Sequence, residues 1–218
     1  MKKIYISPSN QTANRYAVGD TNEAVQCNKI GTALAAALER CGFQTLLNGT
    51  DKMAKRCAES DKWGADLHLP IHTNAHNGNV KGTRLFCYDK TGEGHKACMS
   101  VMAALAPITP GESDSVTVHH FYEVKHPKAP TVYVEVGFHD NKEEAAWIID
   151  HTEDIAEAIC QGLCAYYGVE YVSPNAQEQE TVNPEKLYRV QVGAFSDHKN
   201  AQAMLKKLSA AGFDGFIT

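Results

Sequence analysis

Residues 5–24, YISPSNQTANRYAVGDTNEA, begin as the end of a buried strand and finish as the start of a helix, with a polar loop between. In an open α/β protein such a loop lies beyond the carboxyl edge of the sheet, where ligands and reacting groups gather. It carries a carboxylate, Glu23, and no histidine. Asp20 followed three positions later by Glu23 is a capping-box-like pattern. A carboxylate in a first helical turn also points at the space where a metal would sit. Both roles are open for Glu23 on these residues alone.

Outward from this stretch, strand and helix signals alternate. KIYIS (3–7) reads as a strand, and residues 22–41 carry apolar groups at 30, 33, 34, 37, 38 and 41, a helical spacing. Gly42 follows as a C-cap candidate. FQTLL (43–47), DLHLPIHT (66–73), GTRLFCY (82–88) and TVYVEVGF (131–138) read as strands, and 51–64, 93–106 and 142–167 as helical segments. This alternation predicts βαβ units in an α/β fold, a mostly parallel sheet flanked by helices.

Two further residues stand out against it. His68 and His72 fall on one side of their strand, but at about 3.3 Å per residue they lie about 13 Å apart. One metal cannot take both. His72 lies at the carboxyl end beside the polar TNAHNG, and His68 reads as a deeper, hydrogen-bonded histidine. Glu135 sits inside a β-branched, aromatic strand that reads as fully buried. An ionised carboxylate there is costly unless it is paired or serves a metal. A glutamate beside a metal-bound water in a dry cleft is what a hydrolytic general base requires.

The chain has 218 residues with a net charge of -5, which argues against nucleic acid as a bulk partner. No apolar run approaches the roughly 20 residues needed to cross a bilayer. The apolar run after MKK at the N-terminus is shorter than the about 7–15 residues of a secretory signal. Synthesis in the cytoplasm without such a signal is expected. The seven cysteines include no CxxC pair and read as reduced, buried small hydrophobes. Cys160 and Cys164, spaced i, i+4, read as packing rather than metal ligation.

IYISP, Glu23 at a helix start, ADLHLPIHTNA and APTVYVEVGFHDN together resemble the zinc-dependent N-acetylmuramoyl-L-alanine amidases of the Amidase_3 type, over residues 3 to about 168. The resemblance implies that Glu23 and His72 are zinc ligands and that Glu135 is the catalytic acid/base. The family usually adds a histidine in a Gly-His-Gly turn after the first strand. Here Pro8-Ser9-Asn10-Gln11 stands in that place, with Asn10 in register with the histidine. An amide is a poor zinc donor beside imidazole. Three readings follow. Asn10 or Gln11 binds weakly or holds a water; a histidine from elsewhere serves, His139 first and His119, His120 or His126 after it; or the site has lost its metal. His139 has an alternative role as a cap for the helix starting near Asn141.

After residue 171 the composition changes. VSPNAQEQETVNPEK (172–186) reads as a flexible linker between a catalytic domain, 1–171, and a tail, 187–218. The tail YRVQVGAFSDHKNAQAMLKKLSAAGF resembles the first half of a SPOR domain, a peptidoglycan-binding module with a βαββαβ plan. One βαβ half is too short to build its own core. The resemblances imply hydrolysis of the amide between N-acetylmuramic acid and L-alanine of the stem peptide. Peptidoglycan is then the partner, with no nucleic acid and no membrane insertion. Glu135 would act on water, and Asn10, Asn74 and Arg84 would contact substrate. Action at the cell wall, as an endolysin or an autolysin, is expected. A wall-binding protein without catalysis and a zinc peptidase are the rival readings.

Overall fold

The computed structural model describes residues 1–111, 113–174 and 191–217. Residues 1–174 form one compact unit and the remainder a second. In the first, β1 (Lys3–Pro8), β2 (Gln44–Leu47), β3 (Leu67–Asn74), β4 (Arg84–Cys87), β5 (Ser115–Val118) and β6 (Tyr133–Phe138) form one sheet in the order β2-β1-β3-β6-β4-β5. Every pairing is parallel except β4 with β6. The helices are α1 (Glu23–Arg40), α2 (Met53–Trp63), α3 (Glu93–Leu105), α4 (Tyr122–Lys125), α5 (Lys142–Asp150) and α6 (Thr152–Tyr167).

The period-two geometry of strands separates two faces. Ile4 and Ile6, Leu67, Leu69 and Ile71, Val132, Val134 and Val136 belong to the apolar core, with residues of α1, α3, α5 and α6. The alternate residues, Tyr5, Ser7, His68, His72, Tyr133 and Glu135, are buried but lie outside that core. Against them stand side chains of α2 and α4: Tyr5 donates to Glu59 at 2.6 Å and Ser7 to Glu123 at 2.5 Å. The central strands thus read as wholly apolar runs except where the second face carries polar chemistry.

Helix boundaries follow local chemistry. Asn22 caps α1, its side chain accepting from the Val25 amide at 3.1 Å. The capping-box expectation for Asp20 and Glu23 therefore fails, and the Glu23 side chain is available elsewhere. Gly42 follows α1 with φ +84°, as its place after the helix predicts. Asn141 caps α5 by accepting from the amides of Glu143 and Glu144, so His139 does not.

Where α6 crosses α3, Gly162 meets its neighbour without a side chain. A Cβ there would stand 2.5 Å from the Val101 Cα. Gly162→Ala is expected to destabilise the unit by up to about 2 kcal/mol, overpacking of about 1–3 kcal/mol being offset by about 1 kcal/mol of helix propensity. A fall in the urea midpoint at unchanged m-value checks it.

The short β5 and α4, between residues 107 and 130, were not expected from sequence. In the second unit, α7 (His198–Ala210) forms where the tail predicted a helix, capped by Asp197, which accepts from the Lys199 amide at 2.8 Å. No strand forms among the described residues on either side of α7, although strands were expected there. Strands need a paired edge, and the described residues of this unit offer none. Phe213 and Phe216 are exposed. The expected linker falls outside the described residues except for 172–174.

Candidate active site

Three side chains converge at the carboxyl end of the central strands. β3 and β6 pair in register with His72 opposite Glu135, which puts both on one face of strands about 4.8 Å apart. The first turn of α1 brings Glu23 over the same edge. Its Oε1 lies 2.8 Å from His72 Nδ1, and its Oε2 accepts from Asn14 at 2.5 Å. The loop 9–22 is fixed by the Glu23 amide donating to the Asn14 carbonyl at 2.9 Å and the Ser9 amide to Ile71 at 2.8 Å.

Burial alone would raise the Glu23 carboxyl. The hydrogen bond and charge of His72, with bonds from Asn14 and Ser9, overcome it and hold Glu23 below the ordinary carboxylate range. Glu135 goes the other way. Burial, then the negative charge of Glu23, pushes it well above that range. Carboxylates with opposed shifts in one cleft mark it as a candidate functional site.

Two buried polar atoms here lack a hydrogen-bond partner among the described residues: His72 Nε2 and Glu135 Oε2. Unsatisfied buried groups in a native site call for a function. A carboxylate and an imidazole whose Nε2 has no partner are two donors of a kind that zinc takes. The site therefore fits the metal that the sequence implied.

The other expected residues are placed less simply. Asn10 is exposed, and its amide donates to the Asp51 carbonyl at 3.1 Å, away from His72. Gln11 comes closer: its Nε2 is 3.4 Å from His72 Nδ1, and its Oε1 accepts from Asn14 at 3.1 Å. His139 is buried and stacks on Tyr16, with Nδ1 3.0 Å from both the hydroxyl and the carbonyl of Thr73. That nitrogen is turned to Thr73 rather than to Glu23 or His72. Among the described residues, two clusters bring three ligand atoms within 4.8 Å, and neither holds Glu23 or His72. His119 stacks on Phe121, His120 bonds the Tyr88 carbonyl and His126 stacks on Tyr122. Arg84 pairs in register with Glu135 and so shares its face, with its guanidinium 5.8 Å from the Phe138 ring centroid. Asn74 uses Oδ1 to accept from the Ala75 amide at 2.8 Å.

Sequence reasoning missed the groups that frame this centre. Tyr133 stacks on His72 at 4.7 Å, and Phe121 lies 4.9 Å from Tyr133. Asp140 accepts from the amides of His76 and Gly78, tying the loop after β3 to the turn after β6. Deeper on the same face, Glu123 accepts from Ser7 and Arg56 and lies 3.2 Å from His68 Nε2. The sequence signal for Tyr133 was its two-residue offset from Glu135. Glu123 gave none.

A family model described as N-acetylmuramoyl-L-alanine amidase matches residues 4–165, and a SPOR domain model matches 169–218. Curated relatives include the N-acetylmuramoyl-L-alanine amidase CwlM of Bacillus licheniformis, 25% identical over all of this chain and 85% of that protein. The sporulation-specific N-acetylmuramoyl-L-alanine amidase of Bacillus subtilis is also 25% identical, over all of this chain and 84% of its own length. The catalytic domain of the amidase CwlV from Bacillus (Paenibacillus) polymyxa shares the fold, with a TM-score of 0.71 at 18% identity over 78% of this chain and all of that one. The family model spans most of the chain, and the chain belongs to the Amidase_3 family of N-acetylmuramoyl-L-alanine amidases.

Proposed function

We propose that this chain is a zinc-dependent peptidoglycan hydrolase that cleaves the amide between the lactyl group of N-acetylmuramic acid and L-alanine of the stem peptide. The observation that carries the reading is the pairing of His72 with Glu135 in register, with Glu23 bonded to His72 and two buried atoms left unpaired. Glu23 and His72 hold the metal. His139 is the third donor, with Gln11, whose amide stands nearer to His72, as the alternative. Zinc bound there supplies a Lewis acid for the scissile carbonyl and a positive charge that favours ionised Glu135.

The chain's own groups do the rest. Glu135 accepts the proton of the attacking water and returns it to the leaving alanine amine. Asn14 and the Thr73 amide hold the Glu23 carboxylate in place. Tyr133 packs flat on the His72 ring and fixes its orientation. Arg84, on the face of Glu135, and Asn74 are the proposed substrate contacts, whereas the position of Asn10 favours a role in the loop. Residues 1–171 serve as the catalytic domain, 172–186 as a linker and 187–218 as SPOR-like sequence directed to peptidoglycan. The site of action is the cell wall, in an endolysin or autolysin role. No helix among the described residues is long and apolar enough to cross a membrane.

A digest of purified peptidoglycan with and without chelator, read by mass spectrometry, tests the proposal. Stem peptides with free N-terminal alanine, lost on chelation and restored by zinc, are expected. Zinc content should fall in His139→Ala and stay near normal in Gln11→Ala; the reverse assigns the third donor to Gln11. Intact peptidoglycan that retains the protein would mean a wall-binding protein instead.

A further inference from the structure

Away from the catalytic edge, three thiols meet at one point. Cys41 closes the C-terminus of α1, while Cys160 and Cys164 lie one turn apart on α6. Cys160 Sγ is 3.7 Å from Cys41 Sγ and 4.0 Å from Cys164 Sγ, and all three sulfurs lie within 4.8 Å of one another. All are buried and unbridged.

We propose that Cys41, Cys160 and Cys164 form a three-thiolate binding site for a soft, thiophilic metal ion. The distances carry the proposal. Thiolates held about 2.3 Å from a shared ion stand about 4.0 Å apart in a trigonal plane and about 3.8 Å apart at three corners of a tetrahedron. Two of the three sulfur spacings in the fold, 3.7 and 4.0 Å, already match these values. Soft sulfur donors without a carboxylate select copper(I)- or zinc-like ions and reject magnesium or calcium.

The surroundings suit thiolates. The Val172 amide donates to Cys41 Sγ at 3.3 Å, a bond that strengthens when the sulfur is charged. Arg40, ion-paired with Glu157 at 2.6 Å, donates its Nε to the Val172 carbonyl at 2.8 Å and so holds Val172 beside the cluster. Burial raises the Cys160 and Cys164 thiols, and an ion that binds them displaces their protons. Binding is redox-neutral. A divalent ion forms three metal–sulfur bonds as three S–H bonds break, and three protons pass to solvent, leaving one net negative charge on the cluster. The other three-residue cluster, Cys57, His68 and Glu123, is a poorer candidate because Arg56 already occupies Glu123 at 2.9 Å.

Cadmium alone is the probe, titrated into the full reduced chain. One equivalent should produce the ultraviolet thiolate-to-cadmium charge-transfer band. The band should vanish in Cys41→Ala and in Cys160→Ala, and persist in Cys57→Ala and His72→Ala. The last variant separates this site from the catalytic centre, whose donors include no sulfur. X-ray absorption of the wild-type cadmium complex, which needs no variant to fold, should count three sulfur neighbours. No band in the wild type, a band that survives Cys160→Ala, or fewer than three sulfurs would overturn the proposal.

Discussion

Glu135→Gln will lower peptidoglycan hydrolysis by about 10²–10⁴-fold, the usual contribution of a positioned general acid–base group. Zinc content will stay unchanged. The substitution keeps the size of the side chain and replaces its titrating carboxyl with a neutral amide. It also removes a carboxyl that burial and Glu23 both oppose, and whose Oε2 has no partner among the described residues. The variant should therefore be more stable than the parent, by about 1 kcal/mol, or about 2–4 °C in Tm for a domain of this size. Turnover on purified peptidoglycan, metal content and Tm measured together check the prediction. Zinc lost in parallel with activity would make Glu135 a ligand instead of the acid/base. A lower Tm would show that the carboxyl is better satisfied than its surroundings indicate.

Arg56→Met should cost about 3–5 kcal/mol of stability, the penalty for stranding a buried charge. Arg56 and Glu123 are 1% and 0% exposed and bond at 2.9 Å. Arg56 also donates to the Pro8 carbonyl at 2.6 Å, so it ties α2 to the end of β1 just before the active-site loop. The double variant Arg56→Met, Glu123→Leu should recover much of the loss, because an apolar pair of similar volume leaves no uncompensated charge. Activity in the double variant reports whether the pair supports the loop as well as the fold. The pH dependence has a definite sign. Burial raises the Glu123 carboxyl, but the bond to His68, the charge of Arg56 and the bond from Ser7 outweigh it and hold it below the ordinary range. Its contribution is complete above the unfolded-state value of about 4.3 and is lost as pH falls through the lower folded value. Glu123→Gln should flatten the fall of stability with acid in that window, as denaturant midpoints at a series of pH values would reveal.

The main strands and helices of the catalytic unit were legible because their apolar spacing is strong and Gly42 ends α1 where glycine should. The segment holding β5 and α4 was not. SVTV is four residues long at the sheet edge and half exposed, and α4 is a single turn. Neither gives a period long enough to read. Glu23, His72 and Glu135 were legible as individual residues, and the fold joins them. The cap was misread because Asp20 and Asn22 are both good cap residues and only the backbone decides between them. The amide facing His72 was legible only to within one residue: the loop turns Gln11 inward and sends Asn10 to Asp51. Contacts across long sequence gaps left no local trace. Arg56 meets Glu123 across 67 residues and Cys41 meets Cys160 across 119.

The position of β6 has a consequence for the order of assembly. β6 lies between β3 and β4, yet both precede it in the chain. On a ribosome, β3 and β4 emerge first and must leave a gap about 10 Å wide, two strand spacings, for a partner not yet made. Until it arrives, the edge of β3 that carries His72 is open, a hazard for mispairing that chaperones would have to cover. The same delay acts as a safeguard. A nascent or misthreaded chain holds Glu23 and His72 with no Glu135 opposite. With Glu135 in its proposed role, hydrolytic competence would wait on the insertion of β6 between β3 and β4.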